Sequence, residues 1–192
     1  MRYHPGITEK RMNNKRFRKT EEKILKVFFE EDNYISLDRM AKKIGIARST
    51  LYHHHRAIRE IIPDYQRYIM RRYKRRIRRL LCDKNTKMQV LYTGLLIFIL
   101  QHSDVFAILY KNGRRDIVGD MIGLLTPRIE RKLNLPKNAA DIISVYVSEV
   151  TELIWLWIGR SCPDQEINIL LSEIKFLTDS ARTRLRPLLN IE

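Results

Sequence analysis

Cysteine, glycine and proline are scarce in this sequence, and each shortage argues against a class of protein. Only two cysteines, Cys82 and Cys162, occur among 192 residues, and neither has companion ligands nearby. This usage argues against a disulfide framework and a zinc site, and it favours a reducing, cytoplasmic location. Seven glycines and six prolines are too few for the frequent tight turns of β-sandwiches and barrels. We therefore expect an all-α protein.

Long hydrophobic runs are also missing. The most apolar stretch, residues 90–100, is 11 residues long, whereas a membrane-spanning helix needs about 18. We therefore expect no membrane insertion, and the first twenty residues contain no apolar segment typical of a secretory signal. The sequence shows no glycine-rich phosphate loop, nucleophile elbow or ordered Ser, His and Asp set, so we expect neither enzymatic activity nor a cofactor.

Positive charge is abundant, and it is concentrated in the first part of the chain. There are 37 Lys+Arg and 22 Asp+Glu, which give a net charge of +15. Residues 1–82 hold 23 basic and nine acidic residues, whereas residues 83–192 hold 14 and 13. Because phosphate contacts need Lys and Arg near the ligand, this asymmetry favours nucleic-acid binding by the first part over a surface that serves solubility alone.

Apolar spacing predicts about nine helices in two domains. Residues 1–17 are predicted to be a flexible basic arm, and residues 18–62 a small domain of three helices. The first of these helices is predicted at about 18–31, with Glu21 and Glu22 in its first turn, where the helix dipole favours acidic residues. The remaining residues, 63–192, are predicted to form a larger helical domain. Its predicted helices are 63–82, 86–102, 104–111, 115–133, 138–159 and 164–185.

Residues 36–55 predict two short helices around a tight turn. Ser36 can cap the first helix, which is about two turns long, and Gly45 can end it. The second helix is predicted to have about nine residues from Ala47. In it, Ala47, Leu51 and His55 follow at intervals of four and are predicted to face a core.

The opposite side of this second helix carries polar residues. They are Arg48, Ser49, Tyr52 and His53. Such residue types hydrogen-bond to base edges and phosphates, so this side is a candidate nucleic-acid contact. The run of three histidines does not predict a metal site, because consecutive helical residues point about 100° apart and do not converge on one ion.

The segment resembles the helix-turn-helix of TetR-type transcriptional regulators. That family reads roughly Ala-Gly-Val-Ser-Lys-Gly-Thr-Leu-Tyr at its centre. This sequence has Ile44-Gly45-Ile46-Ala47-Arg48-Ser49-Thr50-Leu51-Tyr52. Four positions are identical, and Ile46 and Arg48 are conservative replacements, so the resemblance is specific over about 20 residues and agrees with the predicted helix order.

The resemblance implies a transcriptional regulator, usually a repressor, that binds a palindromic double-stranded DNA operator as a homodimer. Residues 18–62 would be the DNA-binding domain, with the motif at 36–55, and residues 63–192 would bind an unknown small-molecule effector and dimerise. Two recognition helices would enter major grooves about 34–36 Å apart. At the matching positions the base-edge candidates are Arg48 and Ser49. The phosphate candidates are Ser36, Thr50, Tyr52, His53 and Arg56.

Three positions depart from the family pattern. Ala47 replaces a capping Ser, which removes a side-chain cap worth about 1 kcal/mol. His55 replaces a core Phe, and a buried neutral imidazole needs a hydrogen-bond partner, so the three-helix unit is expected to be less stable at low pH. Ile58 replaces a frequent Lys, which leaves Arg56 as the better phosphate candidate.

The predicted helix at 138–159 carries two apolar stripes. One consists of Ile143, Tyr146, Val150, Ile154 and Trp157, and the other of Ile142, Val145, Leu153 and Leu156. A helix so nearly apolar all round must be covered on two sides. We expect one stripe to pack on its own domain and the other on a second copy, so that the last two long helices form a homodimer. A large monomer core is the alternative.

Two further sets of residues have competing interpretations. Seven aromatic residues are candidates for an effector pocket, although such residues more often form a core. They are Tyr92, Phe98, His102, Phe106, Tyr110, Tyr146 and Trp155. Eight basic residues from Arg67 to Arg79 predict a solvated basic face or, as a second choice, an acidic partner. The alternative function is a basic amphipathic protein at a membrane surface, or a non-specific nucleic-acid-binding protein.

Overall fold

The described part of the chain is predominantly helical. The computed structural model describes residues 15–31, 35–133 and 140–189, and no β-strand occurs within those ranges. The prediction of an all-α protein is confirmed. Most of the predicted arm, 1–17, lies outside the described residues, and its last three residues belong to the first described helix.

Ten α-helices occur within the described ranges. They are α1 Lys15–Glu30, α2 Leu37–Ile44, α3 Arg48–His54, α4 Ile61–Cys82, α5 Met88–Leu100, α6 Ser103–Lys111, α7 Asp116–Gly123, α8 Thr126–Leu133, α9 Ala140–Gly159 and α10 Ile167–Leu189. Short 3-10 turns, Ile58–Glu60 and Asp164–Glu166, precede α4 and α10. Packing divides the chain into two compact units at Arg71/Arg72, within α4.

Outside the turn motif of residues 36–55, two helix predictions are wrong in their boundaries. Helix α1 begins at Lys15, so Glu21 lies in its interior and not in its first turn. The helix predicted at 115–133 is two helices, α7 and α8. Pro127 explains this break, because a proline ring has no N–H to donate to the carbonyl of Gly123 and clashes with it.

The first unit is built around a three-helix core. Helix α1 packs on α2, and α2 packs on α3. The Ser36 hydroxyl accepts a hydrogen bond from the backbone N–H of Arg39 at 3.3 Å, as a cap of α2. Gly45 ends α2 with φ of 74°, a left-handed conformation that other residues adopt only with strain. Both predicted roles are confirmed.

Helix α9 is central to the second unit, where it packs against α6, α7 and α10. Its stripe through Tyr146, Val150, Ile154 and Trp157 is buried. On its other stripe, Val145 and Leu156 are 49% and 60% exposed. Ile143 of the first stripe and Ile142 and Leu153 of the second are half-buried. The prediction that one stripe packs within its own domain agrees with this burial, while the second copy that would cover the other stripe stays a prediction.

Helix α9 also has the length and hydropathy of a membrane span. The stretch is Asp141–Gly159, and the pair α5 and α6 would satisfy the same criteria together, although it bends by 81°. Core helices pass these criteria too. The expected absence of membrane insertion therefore stays a prediction.

Candidate nucleic-acid interface

Most of the DNA contacts predicted from the sequence lie on the surface of helix α3. Arg48, Ser49, Thr50, Tyr52 and His53 are all exposed, whereas Leu51 between them is fully buried. The other two candidates, Ser36 at the start of α2 and Arg56 after α3, are exposed as well. Five of the seven candidate contacts thus share one short helix whose apolar anchor points the other way.

The ends of α3 differ from the prediction. The helix has seven residues, from Arg48 to His54, and not nine. Ala47 does not face a core, because it is exposed and its extended backbone places it before the helix. Its side chain caps nothing, so the predicted loss of a cap is confirmed. Leu51 and His55 are buried as expected.

Two histidines at the end of α3 are buried against carboxylates from other helices of the first unit. His54 Nδ1 contacts one oxygen of Glu21 in α1. His55 Nε2 lies 3.0 Å from the other oxygen of Glu21, and His55 Nδ1 lies 3.1 Å from Asp64 in α4. All four side chains are at least nine-tenths buried. We call Glu21, His54, His55 and Asp64 the histidine–carboxylate cluster.

Neighbouring side chains complete the cluster. Arg67 pairs with the second oxygen of Asp64, and the Phe17 ring stacks on the His54 ring at 3.9 Å between centroids. Each carboxylate therefore has more than one partner. A buried charge requires such partners, because burying an unpaired charge costs several kcal/mol. The cluster ties the end of α3 to α1 and to the start of α4.

The surroundings of His55 favour the imidazolium form. Both ring nitrogens of His55 face carboxyl oxygens, and ionised carboxylates accept hydrogen bonds from both N–H groups of an imidazolium. Burial alone would lower the pKa of His55, but hydrogen bonds to Asp64 and Glu21 raise the pKa to about 9. Burial would raise the pKa values of Glu21 and Asp64, yet their histidine partners lower both. The predicted neutral imidazole is wrong.

Sequence reasoning missed the partners of His55. Glu21 is 34 positions away in the chain, and helical spacing predicts it in the first turn of α1. A signal was nevertheless present, because Glu21 stands three residues before Ile24 and seven before Phe28, on the apolar stripe of α1. A carboxylate on such a stripe needs a buried partner. Acid sensitivity of this unit is still expected, but from protonation of the carboxylates.

Arg48 is held by residues of both helices of the turn motif. Its Nε lies 2.6 Å from a carboxylate oxygen of Asp38 in α2. Its Nη2 donates to the Tyr52 hydroxyl at 3.3 Å, and the guanidinium carbon lies 5.3 Å from the centre of the Tyr52 ring. Asp38 was not among the residues selected from the sequence.

The basic stretch of α4 is largely solvent-facing. Of its eight basic side chains from Arg67 to Arg79, seven are exposed and Arg72 is half-buried. Within the second unit, Arg76 donates to the side chain of Gln101 at 2.5 Å. Burial, together with Arg72 and Arg76, lowers the pKa of His102 to about 4. The prediction of a solvated basic face agrees with these exposures.

Most effector-pocket candidates lie in the packed interior of the second unit. Phe98 packs on Tyr73 and His102, and Phe106 and Tyr110 pack on Trp155. The Tyr92 and Tyr146 hydroxyls are 2.8 Å apart, and Tyr146 also bonds to Thr178 at 2.9 Å. The roles of these seven residues in ligand binding stay a prediction.

A groove of about 600 Å³ runs between α5 and α10 of the second unit. Of the seven candidates only Tyr92 lines it. Three basic side chains and one acidic side chain line it too, namely Lys87, Lys175, Arg182 and Asp179. The sequence did not reveal this groove, because its walls come from helices far apart in the chain.

No protein-family model, curated protein or solved structure matches this chain. Within the described ranges, no group of three or more His, Cys, Asp or Glu side chains could hold a metal ion. The resemblance to TetR-type regulators stays a prediction from residues 36–55 and from the predicted helix order.

Proposed function

We propose that this protein is a sequence-specific DNA-binding transcriptional regulator that acts as a dimer. One observation carries the proposal: the C-terminal end of α3 is held by the buried histidine–carboxylate cluster, while the outward side of α3 is polar, basic and exposed. A short helix that is rigidly held and polar outward is suited to the major groove. The charge surplus of the first 82 residues supports the same function.

Arg48 and Ser49 read base edges in this proposal. Phosphates are bound by Ser36, Thr50, Tyr52, His53 and Arg56. Phosphate contacts set the register of the protein on the duplex, and base contacts give the sequence preference. Each copy supplies one such helix, so the operator has two half-sites about one helical turn apart.

The second unit supplies the dimer interface and an effector site. Large apolar side chains are exposed on both of its last helices, Val145 and Leu156 on α9 and Ile169 and Phe176 on α10. A second copy that covers them would remove this apolar surface from water. An effector that prefers one distance between the two DNA-binding domains changes the affinity for the operator. By linkage, DNA changes the affinity for the effector by the same factor.

A salt titration with matched variants tests the DNA-binding proposal. If each head neutralises about four phosphates, log K for the dimer should fall with log salt with a slope of about −7. Arg48→Ala should cost about 1–3 kcal/mol at one base pair in each half-site. Arg131→Ala, which removes an exposed arginine of α8, should change no base preference. Equal effects of the two variants would contradict the role of Arg48.

The dimer is tested by sedimentation. Leu156→Glu combined with Phe176→Glu should convert the protein to monomers, because two charges would be buried in the interface. Val90→Glu, at a comparably exposed position of α5, should leave it dimeric. A wild-type protein that sediments as a monomer at micromolar concentration would contradict this part of the proposal.

The alternative function is attachment to an anionic membrane surface. It is favoured by the exposed arginines of α4 and by the apolar stripe of α9. The same salt titration with vesicles of anionic lipid separates the two functions. Vesicle binding that matches or exceeds duplex binding at each salt concentration would support the alternative.

A further inference from the structure

Asp38 contacts the main candidate for base reading at a surface that otherwise favours anions. The Asp38 carboxylate lies 2.6 Å from Nε of Arg48, and the Asp38 and Arg48 side chains are 50% and 64% exposed. Asp38 belongs to the first turn of α2, two residues after Ser36, a phosphate candidate. A carboxylate at this place repels the phosphates of any duplex that docks on α3.

The contact occupies one edge of the Arg48 guanidinium. A guanidinium has five N–H donors in a rigid plane, and Nε and Nη2 share one edge while Nη1 and Nη2 share the other. Asp38 takes Nε, and the Tyr52 hydroxyl takes a donor of Nη2. Among the described residues, no acceptor takes the two donors of Nη1 or the second donor of Nη2, so these three are left for a further acceptor. Two parallel N–H donors match O6 and N7 of guanine in the major groove.

Holding the side chain in one direction affects its choice of acceptor. An arginine that is free to turn pairs with any nearby phosphate, which carries no sequence information. An arginine held by Asp38 and stacked on Tyr52 at 5.3 Å loses that freedom before DNA arrives. A pair of this kind on a surface adds little stability, so its effect is expected in binding selectivity.

We infer that Asp38 is the residue that sets base specificity, by holding Arg48 for a guanine and by weakening binding to all other DNA. This inference rests on the proposed function and names the base that the site reads. Binding sites often gain specificity by combining a positioned attractive group with a repulsive group, because the repulsive group lowers the affinity for incorrect partners. Asp38 acts as a positioning residue through Arg48.

The test begins with selection of preferred sites from a random duplex library by the full-length wild-type protein. Binding of Asp38→Asn is then measured on the selected site, on each of its single-base variants and on a random duplex. Asp38→Asn should bind the random duplex about threefold or more tightly, because it removes a charge that repels phosphates. It should lose about fivefold or more of the discrimination at one G·C pair in each half-site.

Two further variants separate positioning from charge. Glu30→Gln removes the same charge from the first unit, at a carboxylate that pairs with Lys26 and Lys43 and not with Arg48. It should leave discrimination unchanged at every base pair. In an Arg48→Ala background, Asp38→Asn should no longer change discrimination, since a residue acting through Arg48 has no effect without it.

The outcomes are distinct. The inference is overturned if folded Asp38→Asn, checked by its melting curve, keeps the wild-type preference for G·C. It is also overturned if the variant loses discrimination equally at all positions, or if Glu30→Gln has the same effect. If the wild-type protein selects no common sequence, the proposed function itself fails and this inference with it.

Discussion

The two compact units satisfy their buried polar groups in different ways. In the first unit, the buried groups around α3 are charged, with Glu21 and Asp64 enclosing His55. In the aromatic core of the second unit, the bonds join hydroxyls, from Tyr92 through Tyr146 to Thr178. Removing one partner of a buried charge costs about 3–5 kcal/mol, whereas an apolar replacement that conserves volume usually costs less than about 1.5 kcal/mol. The buried charge described in the second unit, Arg128, donates instead to backbone carbonyls of Asp83 and Thr86, so among the described residues only the first unit pairs opposite buried charges around a short helix.

Because one unit buries charged pairs and the other buries bonded hydroxyls, the two units should also respond differently to pH. His55, with its pKa raised to about 9, changes charge in mildly alkaline solution. In the second unit, the pKa of His102 is lowered to about 4 and that of Cys162 is raised to about 11, both chiefly by burial. With these pKa values, His102 and Cys162 keep their protonation states between pH 6.5 and 9, whereas His55 begins to lose its proton.

The largest expected effect comes from breaking the cluster with His55→Phe. Glu21 and Asp64 would lose the charge between them, and the free energy of unfolding of the first unit should fall by about 3–5 kcal/mol. Both tryptophans, Trp155 and Trp157, lie in the second unit, so their fluorescence follows that unit alone. Urea unfolding by circular dichroism should show an early transition that fluorescence lacks.

A compensating variant sharpens this prediction. His55→Phe combined with Glu21→Leu should recover much of the lost stability, because an apolar pair of similar volume replaces a buried ion pair at little cost. His53→Phe, at an exposed neighbour, serves as the control for replacing an imidazole by a phenyl ring. Equal stability of wild type and the His55→Phe single variant would contradict the role of the cluster.

The next effect is the pH dependence of the first unit. The pKa of His55 is higher in the folded state, so its contribution is complete below pH 6.5 and is lost as the pH rises through about 9. The loss should be on the order of 3 kcal/mol. The contribution of Glu21 and Asp64, whose pKa values are lowered, should be lost instead as the pH falls below about 4.

Urea unfolding at pH 6, 8 and 9.5 measures the alkaline limb. Circular dichroism should show that the first unit unfolds at a lower urea concentration as the pH rises. Tryptophan fluorescence should show that the unfolding midpoint of the second unit stays unchanged from pH 6 to 9.5. The His55→Phe, Glu21→Leu variant should remove the alkaline loss. A first unit that is as stable at pH 9.5 as at pH 6 would show that His55 is not held as an imidazolium.

A smaller effect is expected in the core of the second unit. The Tyr73 hydroxyl is buried and has no hydrogen-bond partner within the described residues. Tyr73→Phe should therefore raise the free energy of unfolding by about 1 kcal/mol. Tyr146→Phe, which removes a bonded hydroxyl, should lower it by a similar amount. Tryptophan fluorescence during urea unfolding reports both, and a loss from Tyr73→Phe equal to that from Tyr146→Phe would contradict the assignment.

The smallest effect is expected at the start of α3. Ala47→Ser should stabilise the first unit by about 0.5–1 kcal/mol, because the hydroxyl can accept from an N–H of the first turn. Ser36→Ala should lower stability by a similar amount, since it removes the corresponding cap of α2. Thermal melting by circular dichroism measures both changes. Two shifts of the same sign would contradict this view of the helix ends.

Local features of the fold could be predicted from the sequence. Ser36, Gly45 and the unequal stripes of α9 follow from capping, from left-handed backbone and from helical spacing, and each depends on residues close together in the chain. The break between α7 and α8 was equally readable from Pro127. It was missed because the apolar spacing continues across it.

The contacts that fix the candidate site could not be predicted in the same way. The Glu21 and His55 pair joins residues 34 positions apart, and the Asp38 and Arg48 pair joins two helices across a turn. Such contacts depend on how helices pack, which spacing within one helix does not determine. Spacing did identify the outward residues of α3, because exposure follows directly from helical period.

The central claim is that the outward side of α3 meets duplex DNA. Amide shifts of the labelled full-length protein, titrated at low salt with a selected duplex, test this claim most directly. The account predicts the largest changes at Arg48, Ser49 and Tyr52, and none at Leu156. Changes confined to residues 67–79 of α4, with α3 unaffected, would contradict it.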